Sequence, residues 1–332
     1  MASRQIPIVC PGHTRPLAEL QFISPTESTP QSTLLISACH DRHPMVRKAS
    51  SGDWIGTFKG HKGAVWSAKL DPSGNLAATA SGDFSVLVWD GITGQELASL
   101  GHAHIVKTVD FSPDSKCLCT GGHEGLLRVY DLMTILKDRT GDGKATLAIK
   151  QKEQGKVVIT KSLWMNDDVI LAAASDGKVR CWNANSAELD NRLLHTLSVG
   201  AEVRDMEFVK IRNASGTRDI LTVAAGDTVS FFELHLSGTN SSVTLKSSLL
   251  KAHKMPIHFK DEGGATLHPS GSKFVAGGSD LWVRVFDFET GEELECNKGH
   301  HGPIRCLRYA PNGETYATGS EDGTIRLWKT DP

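Results

Sequence analysis

A chain that repeats itself at a fixed spacing has few ways to fold, because each unit must bury its apolar face against the next copy. Here Gly-His pairs stand at Gly12-His13, Gly60-His61, Gly101-His102 and Gly299-His300, each followed by a short apolar alternation and a Pro-containing turn. A second marker is an acidic residue with a large side chain six positions later, at Asp83/Trp89, Asp176/Trp182, Asp280/Phe286 and Asp322/Trp328. Weaker copies are Glu124/Tyr130, Asp41/Arg47 and Gly226/Phe232. The spacing of roughly 40–50 residues is that of four-stranded propeller blades, and seven units fill the chain. Gly60–Leu100 shows four β-prone runs, AVWSAKL, NLAATAS, VLVWD and QELASL, separated by the turn signals DPSG, GDF and GITG. The expected fold is all-β, a seven-bladed propeller forming a single domain over residues 1–332.

Gly-His and Trp-Asp together are the marks of the WD-repeat class, and they have physical work to do. In the best blade, His61, Thr79, Asp83 and Trp89 should form a hydrogen-bonded chain; in the last, His300, Thr318, Asp322 and Trp328 stand in the same order. A bond to a charged group is worth about 1.5–3 kcal/mol, enough to fix the loop that joins two blades. The same residue types make a nucleophile triad. A set that recurs blade by blade is nevertheless structural, so no enzyme and no cofactor are expected. The last blade supplies Ile304–Tyr309, Thr315–Gly319 and Thr324–Trp328 and then lacks a fourth strand. The N-terminal strand, residues 5–10, should complete it and close the ring, removing an open edge.

Composition narrows the function. Lys plus Arg number 36 against 38 Asp plus Glu, a formal charge of −2, so no overall positive field draws in a polyanion and any RNA contact needs a local patch. The seven cysteines, Cys10, Cys39, Cys117, Cys119, Cys181, Cys296 and Cys306, fit buried thiols in a reducing compartment. No apolar run is long enough for a signal peptide or a membrane span, so a soluble, intracellular protein without membrane insertion is expected. Without secretion, the sequons at Asn213 and Asn240 are polar loop residues. Gly143-Lys144 is followed by Ala145, which breaks the phosphate-loop pattern, and His123-Glu124 lacks the second His of a zincin. Cys39, His40 and His43 resemble metal ligands but have no distant matching pair, so no metal is expected.

Three blades depart from the pattern. The first carries Arg47 and Lys48 where Trp and Asp would stand, leaving its ladder of contacts incomplete. The fourth lacks Gly-His, and the fifth, near Val199 to Leu250, lacks both the His and the regular Asp. The polar inserts Asp138–Lys144, Lys210–Asp219 and Leu236–Ser242 should be solvated loops.

The residue just after the first apolar position of each first strand should lie near the face bearing the His-containing loops. That register selects Trp66, Lys107, Arg204 and Arg305, and the second turns add Phe84 and Trp282. Trp and Arg are enriched among binding hot spots, and an aromatic and cationic rim suits an acidic peptide or a short single-stranded RNA. Packing between blades is the alternative role for Trp66 and Phe84.

The chain also resembles the family of serine-threonine kinase receptor-associated, or Unr-interacting, proteins. The resemblance runs from Gly12 to Trp328. It is carried by GHTRP at Gly12–Pro16, LISAC at Leu35–Cys39, GDWIGTF at Gly52–Phe58, GHKGAVW at Gly60–Trp66, HIVKTVDF at His104–Phe111 and LRVYDL at Leu127–Leu132. FVAGGSDLWVRVFDFETGEEL at Phe274–Leu294, GHHGPIRC at Gly299–Cys306 and GSEDGTIRLW at Gly319–Trp328 complete it. The inserts around Asp138–Lys156, Lys210–Asp219 and Pro256–Gly263 depart from the family pattern. The resemblance implies a non-enzymatic, monomeric scaffold, cytoplasmic and nuclear, in the survival-of-motor-neuron complex with Gemin-type partners. Its implied role is spliceosomal particle assembly and mRNA processing, with any RNA contact indirect or through a local patch. In animals it further implies damping of transforming-growth-factor-β signalling through receptor kinases and an inhibitory Smad. Subunit i of the third eukaryotic translation-initiation factor, or a substrate-recruiting subunit of a ubiquitin ligase, is the alternative.

Overall fold

The computed structural model describes residues 5–24, 33–137, 147–150, 157–185, 192–213, 216–238, 243–259 and 263–330. Its strands form seven antiparallel sheets arranged as a seven-bladed β-propeller. The second blade shows the unit plainly: Val65–Leu70, Leu76–Ser81, Ser85–Asp90 and Glu96–Gly101 pair in that order. Within it Leu76–Ser81 is buried from its second residue onward, because a strand sandwiched between neighbouring blades is covered on both faces. The buried apolar side chains fall into seven clusters, each shared by two adjacent blades. Ala68, Leu70 and Trp89 of blade two, for example, pack with Ile36, Val46 and Phe58 of blade one. Each apolar core is therefore completed only by a neighbouring blade.

The ring closes as the repeat arithmetic requires. Ile8–Cys10 pairs antiparallel with Ile325–Lys329, completing a sheet with Thr315–Ser320 and Ile304–Tyr309. Cys10, Leu17, Leu20, Ala317 and Leu327 then share one cluster across the seam between first and last blades.

Blade one is better braced than its sequence implied. Arg47, at the Trp position, is buried and donates from Nη1 to Gly52 O at 3.0 Å and from Nη2 to Pro11 O. It thus holds the segment that leads out of the closing strand.

Blade five corrects a second expectation. The Lys210–Asp219 insert is a continued ladder, in which Asp205–Asn213 pairs residue by residue with Gly216–Ala224; residues 214–215 lie outside the described part. Alternating apolar residues explain the extension: Ile211 and Ile220 are buried, and Ile211 lies against the Gly271 turn of blade six. The middle strand, Gly216–Ser237, changes partner at Gly226, whose φ is +62°, and continues against Thr244–Phe259. The Leu236–Ser242 insert begins inside this ladder, and residues 239–242 lie outside the described part. Most of the Asp138–Lys156 insert also lies outside it, apart from the short helix Leu132–Lys137 before it and the strand Leu147–Lys150.

Candidate functional site

The loops that frame one face of the ring are fixed by the recurring hydrogen-bonded chain. In blade two, His61 Nδ1 lies 2.9 Å from Asp83 Oδ2 and Nε2 lies 2.7 Å from Thr79 Oγ1, while Trp89 Nε1 donates to that hydroxyl at 2.8 Å. A carboxylate can only accept, so His61 carries a proton on Nδ1, facing Asp83, while the Thr79 hydroxyl bridges the Trp89 indole and Nε2. Lys62 N also donates to Asp83 Oδ2, at 2.8 Å. Burial works to raise the Asp83 carboxyl, and the bonds from His61, Ser85 and Lys62 outweigh it and hold the group low. Blade seven repeats the geometry, with His300 at 3.2 Å from Asp322 and 2.8 Å from Thr318, and Trp328 at 2.8 Å from Thr318.

The glycines of the pairs at Gly60 and Gly299 follow from the same packing against the blade's Trp. A Cβ on Gly60 would sit 2.8 Å from the Trp89 ring. Blade four shows the converse: Ala172 replaces the threonine, and the buried Trp182 Nε1 has no partner among the described residues.

Six of the seven first strands carry a register shift at one equivalent place, between Leu17 and Glu19, Val65 and Ser67, Val106 and Thr108, Ile159 and Lys161, Val203 and Asp205, and Ile304 and Cys306. The residues skipped are Ala18, Trp66, Lys107, Thr160, Arg204 and Arg305. A bulge re-aims its extra side chain. Five of these six line a single chamber of about 230 Å³ at the mouth of the central channel. Lys107 Nζ lies 3.0 Å from the centre of the Trp66 ring, a cation on an aromatic face. Arg204 leans to Glu202 at 2.9 Å, and Arg305 lies 3.7 Å from Glu321 with most of its side chain covered.

The structure thus gathers Trp66, Lys107 and Arg204 in one chamber. Phe84 stands outside it, joined by a run of rings: Phe84 meets His104 at a tilt, 5.5 Å between centres, and His104 stacks on the chamber residue His123 at 5.0 Å. Trp282 lies beneath Lys298 and Arg284, at 4.2 and 5.2 Å, and does not line this chamber. Sequence reasoning missed His40, whose ring meets Trp66 edge-on at 4.3 Å. Burial, then Arg305 and Lys107, push its pKa down to about 4. It is a neutral wall of the aromatic platform, and nothing in the spacing of Cys39, His40 and His43 signals that role. A different trio, His13, Cys39 and Asp41, comes within 4.8 Å. His13 is bonded to Asp41 and to Ser37, each at 2.8 Å, and the Cys39 thiol donates to Arg15 O at 3.1 Å, so each member of the trio is engaged in the hydrogen bonds of blade one.

Below the mouth, buried charges brace the channel across its width. Glu19 of blade one meets Lys161 of blade four at 2.9 Å and Lys69 of blade two at 3.2 Å, and Ser67 donates to it. Burial opposes ionisation of Glu19, yet the two lysines and the serine prevail and lower its pKa to about 2. Arg308 forks onto Asp205 at 2.6 and 2.7 Å. A second chamber of about 200 Å³ lies beyond, lined in part by Phe22, Asp110, Trp164, Glu207 and Arg308.

Glu207 titrates with a sign that can be tested. Burial raises its pKa to about 7 against the opposing pull of Arg308 and bonds from Thr266 Oγ1 and Leu267 N. A carboxyl raised in the folded state favours folding when protonated, so its contribution is present at acid pH and is lost as pH rises from about 4.5 to about 7. Glu207→Gln keeps one of the two acceptor oxygens and removes the charge. The variant should gain of order 1–3 kcal/mol over the wild type above pH 7 and nothing near pH 4.5. Thermal melts between pH 4.5 and 8 measure the difference; a gain independent of pH would contradict the assignment.

Comparison with known proteins agrees with this architecture. The "WD domain, G-beta repeat" family matches residues 52–90, 94–131 and 291–329. Each match begins at or before an outer strand and runs through three strands of the next blade, so the repeat in sequence is offset from the blade in space, which is why the N-terminus must supply the last strand. The serine-threonine kinase receptor-associated protein of Gallus gallus is 43% identical over 330 residues, covering 99% of this chain and 84% of the relative. That of Dictyostelium discoideum is 39% identical over 325 residues, covering 97% and 98%. Eukaryotic translation initiation factor 3 subunit I of Pyricularia oryzae is 28% identical over 337 residues, covering 98% and 93%. Among the described residues no helix is long and apolar enough to cross a membrane. By identity sustained along nearly its whole length, the chain belongs to the serine-threonine kinase receptor-associated protein family, WD-repeat propellers whose fold serves as a scaffold for protein–protein interaction.

Proposed function

We propose that this chain is a non-enzymatic docking subunit of a survival-of-motor-neuron-type assembly, acting in spliceosomal particle assembly and mRNA processing in cytoplasm and nucleus. The observation that carries the docking reading is the channel-mouth chamber, where bulged positions of successive blades present Trp66, Lys107 and Arg204 together. An aromatic face with cations above and beside it suits an acidic stretch of a partner protein, and hot spots are enriched in Trp and Arg. The residues that resemble a catalytic triad are engaged in holding loops, in more than one blade. The Dictyostelium relative favours assembly as the shared role, since it extends the family beyond animals. In an organism with transforming-growth-factor-β receptors the same face would also serve receptor kinases and an inhibitory Smad, in keeping with the relatives' name.

Affinity purification from the source cells followed by mass spectrometry tests the partner class. Gemin-type proteins are the expected co-purifying set. Recovery of initiation-factor subunits instead would support the relation to the 28%-identical subunit I, and recovery of cullin adaptors would point to a ubiquitin ligase; either would contradict the assembly role.

A further inference from the structure

Blade one departs from blades two and seven at two places in the loops on the face that carries its Gly-His pair. The first place is the second residue after that pair. Blades two and seven have Gly63 and Gly302 there, and a Cβ on either would come 2.6 Å from Asp83 N or 2.9 Å from Asp322 N, so in those blades the entry loop touches the second turn. Blade one has Arg15 instead. The second place is the residue after the acid of the second turn. Blades three, four and seven put Gly125, Gly177 and Gly323 there, at φ of +70°, +73° and +77°. Blade one puts Arg42 there at φ +74°, a backbone conformation that L side chains adopt at a cost.

A cavity of about 580 Å³ lies between these two loops of blade one, and its lining includes Thr14, Arg15, His40, Asp41, Arg42 and His43. Arg15 and Arg42 are exposed, and neither guanidinium has an ion-pair or hydrogen-bond partner among the described residues. The acid in the wall, Asp41, is engaged by the loops themselves. Its side chain is 5% exposed, Oδ2 accepts from His13 Nδ1 at 2.8 Å and from Thr14 N at 3.2 Å, and Oδ1 accepts from His43 N at 3.0 Å. The wall therefore offers two unpaired cations against one buried, bonded carboxylate. Each guanidinium is a planar fork that binds two oxygens at once, so a carboxylate fills one fork, whereas a phosphate monoester has three free oxygens and a double charge to meet both.

We propose that the blade-one cavity holds the phosphate of a phosphorylated serine or threonine in a partner protein, clamped by Arg15 and Arg42. Arginine at both places accounts for the charge and for a side chain kept at a backbone conformation that other blades give to glycine. A phosphodiester of RNA has one charge and two free oxygens, so the monoester is the better match. The cavity and the channel-mouth chamber have no lining residue in common, and the proposal does not depend on docking at the mouth.

The probe is an immobilised pool of nonapeptides with a central phosphoserine and randomised flanks, with serine and glutamate pools as controls and the purified intact protein as analyte. The phosphoserine pool should retain the protein at least tenfold better than the serine pool and threefold better than the glutamate pool. Arg15→Ala with Arg42→Gly should abolish this preference at a melting temperature within a few degrees of the wild type, since glycine is at ease at that φ. If the pair destabilises the protein, Arg42→Gly alone should weaken retention at least threefold. Lys210→Ala with Arg212→Ala removes the same number of charges from blade five and should leave the preference intact. Equal retention on the three pools overturns the proposal, as does a preserved preference in the folded Arg15/Arg42 variant. Equal loss in both double variants would show general attraction to positive charge rather than a site. Loss of the preference only with Trp66→Ala and Lys107→Glu would place the phosphate in the channel mouth, and displacement by single-stranded oligouridylate at equal phosphate concentration would assign the cavity to nucleic acid; either result contradicts the proposal.

Discussion

Arg308→Ala should destabilise the protein by about 3–5 kcal/mol, the usual cost of stripping one member from a buried ion pair. Arg308 donates to both oxygens of Asp205, at 2.6 and 2.7 Å, and to the backbone oxygens of Leu307 at 2.6 Å and Met206 at 3.4 Å. Glu207 lies 3.8 Å from its Nε. Alanine leaves two largely buried carboxylates without their cation, and total stabilities of domains are only about 5–15 kcal/mol. The deficit should shrink as pH falls, because protonating the stranded carboxylates removes the uncompensated charge. Pairing the change with Asp205→Ala should recover part of the loss, since coupled residues are not additive. Chemical denaturation of the two single variants and the double variant measures the coupling. A single variant within about 1 kcal/mol of the wild type would mean that the cross-channel brace contributes little.

Deleting Met1–Pro11 should lower the melting temperature by roughly 5–10 °C and promote aggregation, the expected cost of reopening a sheet edge in a large domain. The deletion removes the pairing of Ile8, Val9 and Cys10 with Leu327, Arg326 and Ile325. It also takes Cys10 out of the seam between first and last blades and Pro11 O away from the buried Arg47. A synthetic peptide of residues 1–11 added in trans should restore part of the loss. A truncated protein that melts with the intact one, by differential scanning calorimetry, would contradict closure by this strand.

The fold was legible because its determinants are local and repeated. Gly60, His61, Thr79, Asp83 and Trp89 sit at fixed offsets, and each is required by contact with another of the set. The channel-mouth positions were legible for a related reason: a bulge at one equivalent place in six blades gives Trp66, Lys107, Arg204 and Arg305 a common register. What was not legible depends on contacts between blades far apart in sequence. Glu19 and Lys161 meet across the ring although 142 residues separate them, and neither belongs to a motif. Arg47 read as a defect because its acceptor, Pro11 O, belongs to the segment beside the closing strand. The blade-five insert read as a polar loop because Lys210, Arg212 and Asp219 hide the alternation of Ile211 and Ile220, which only the neighbouring Gly271 turn makes meaningful. Trp282 was grouped with the mouth by its nearness to Asp280; strand pairing sets it opposite Lys298 instead.

Docking at the channel mouth is tested most directly by repeating the affinity purification with Trp66→Ala and Lys107→Glu together, against Lys210→Ala and Arg212→Ala as the control pair. Trp66 carries the ring and Lys107 the cation 3.0 Å above it, so the first pair removes the platform and reverses its charge. Truncation of a hot spot can cost 2 kcal/mol or more, about thirtyfold in affinity, whereas changes at exposed surface positions such as Lys210 and Arg212 usually stay within about 0.5 kcal/mol. The mouth pair should lose the main co-purifying partner while melting within a few degrees of the wild type, and the control pair should retain it. Retention of that partner by a folded mouth pair, with its loss from the control pair, would place the docking surface on blade five and contradict the assignment of the channel mouth.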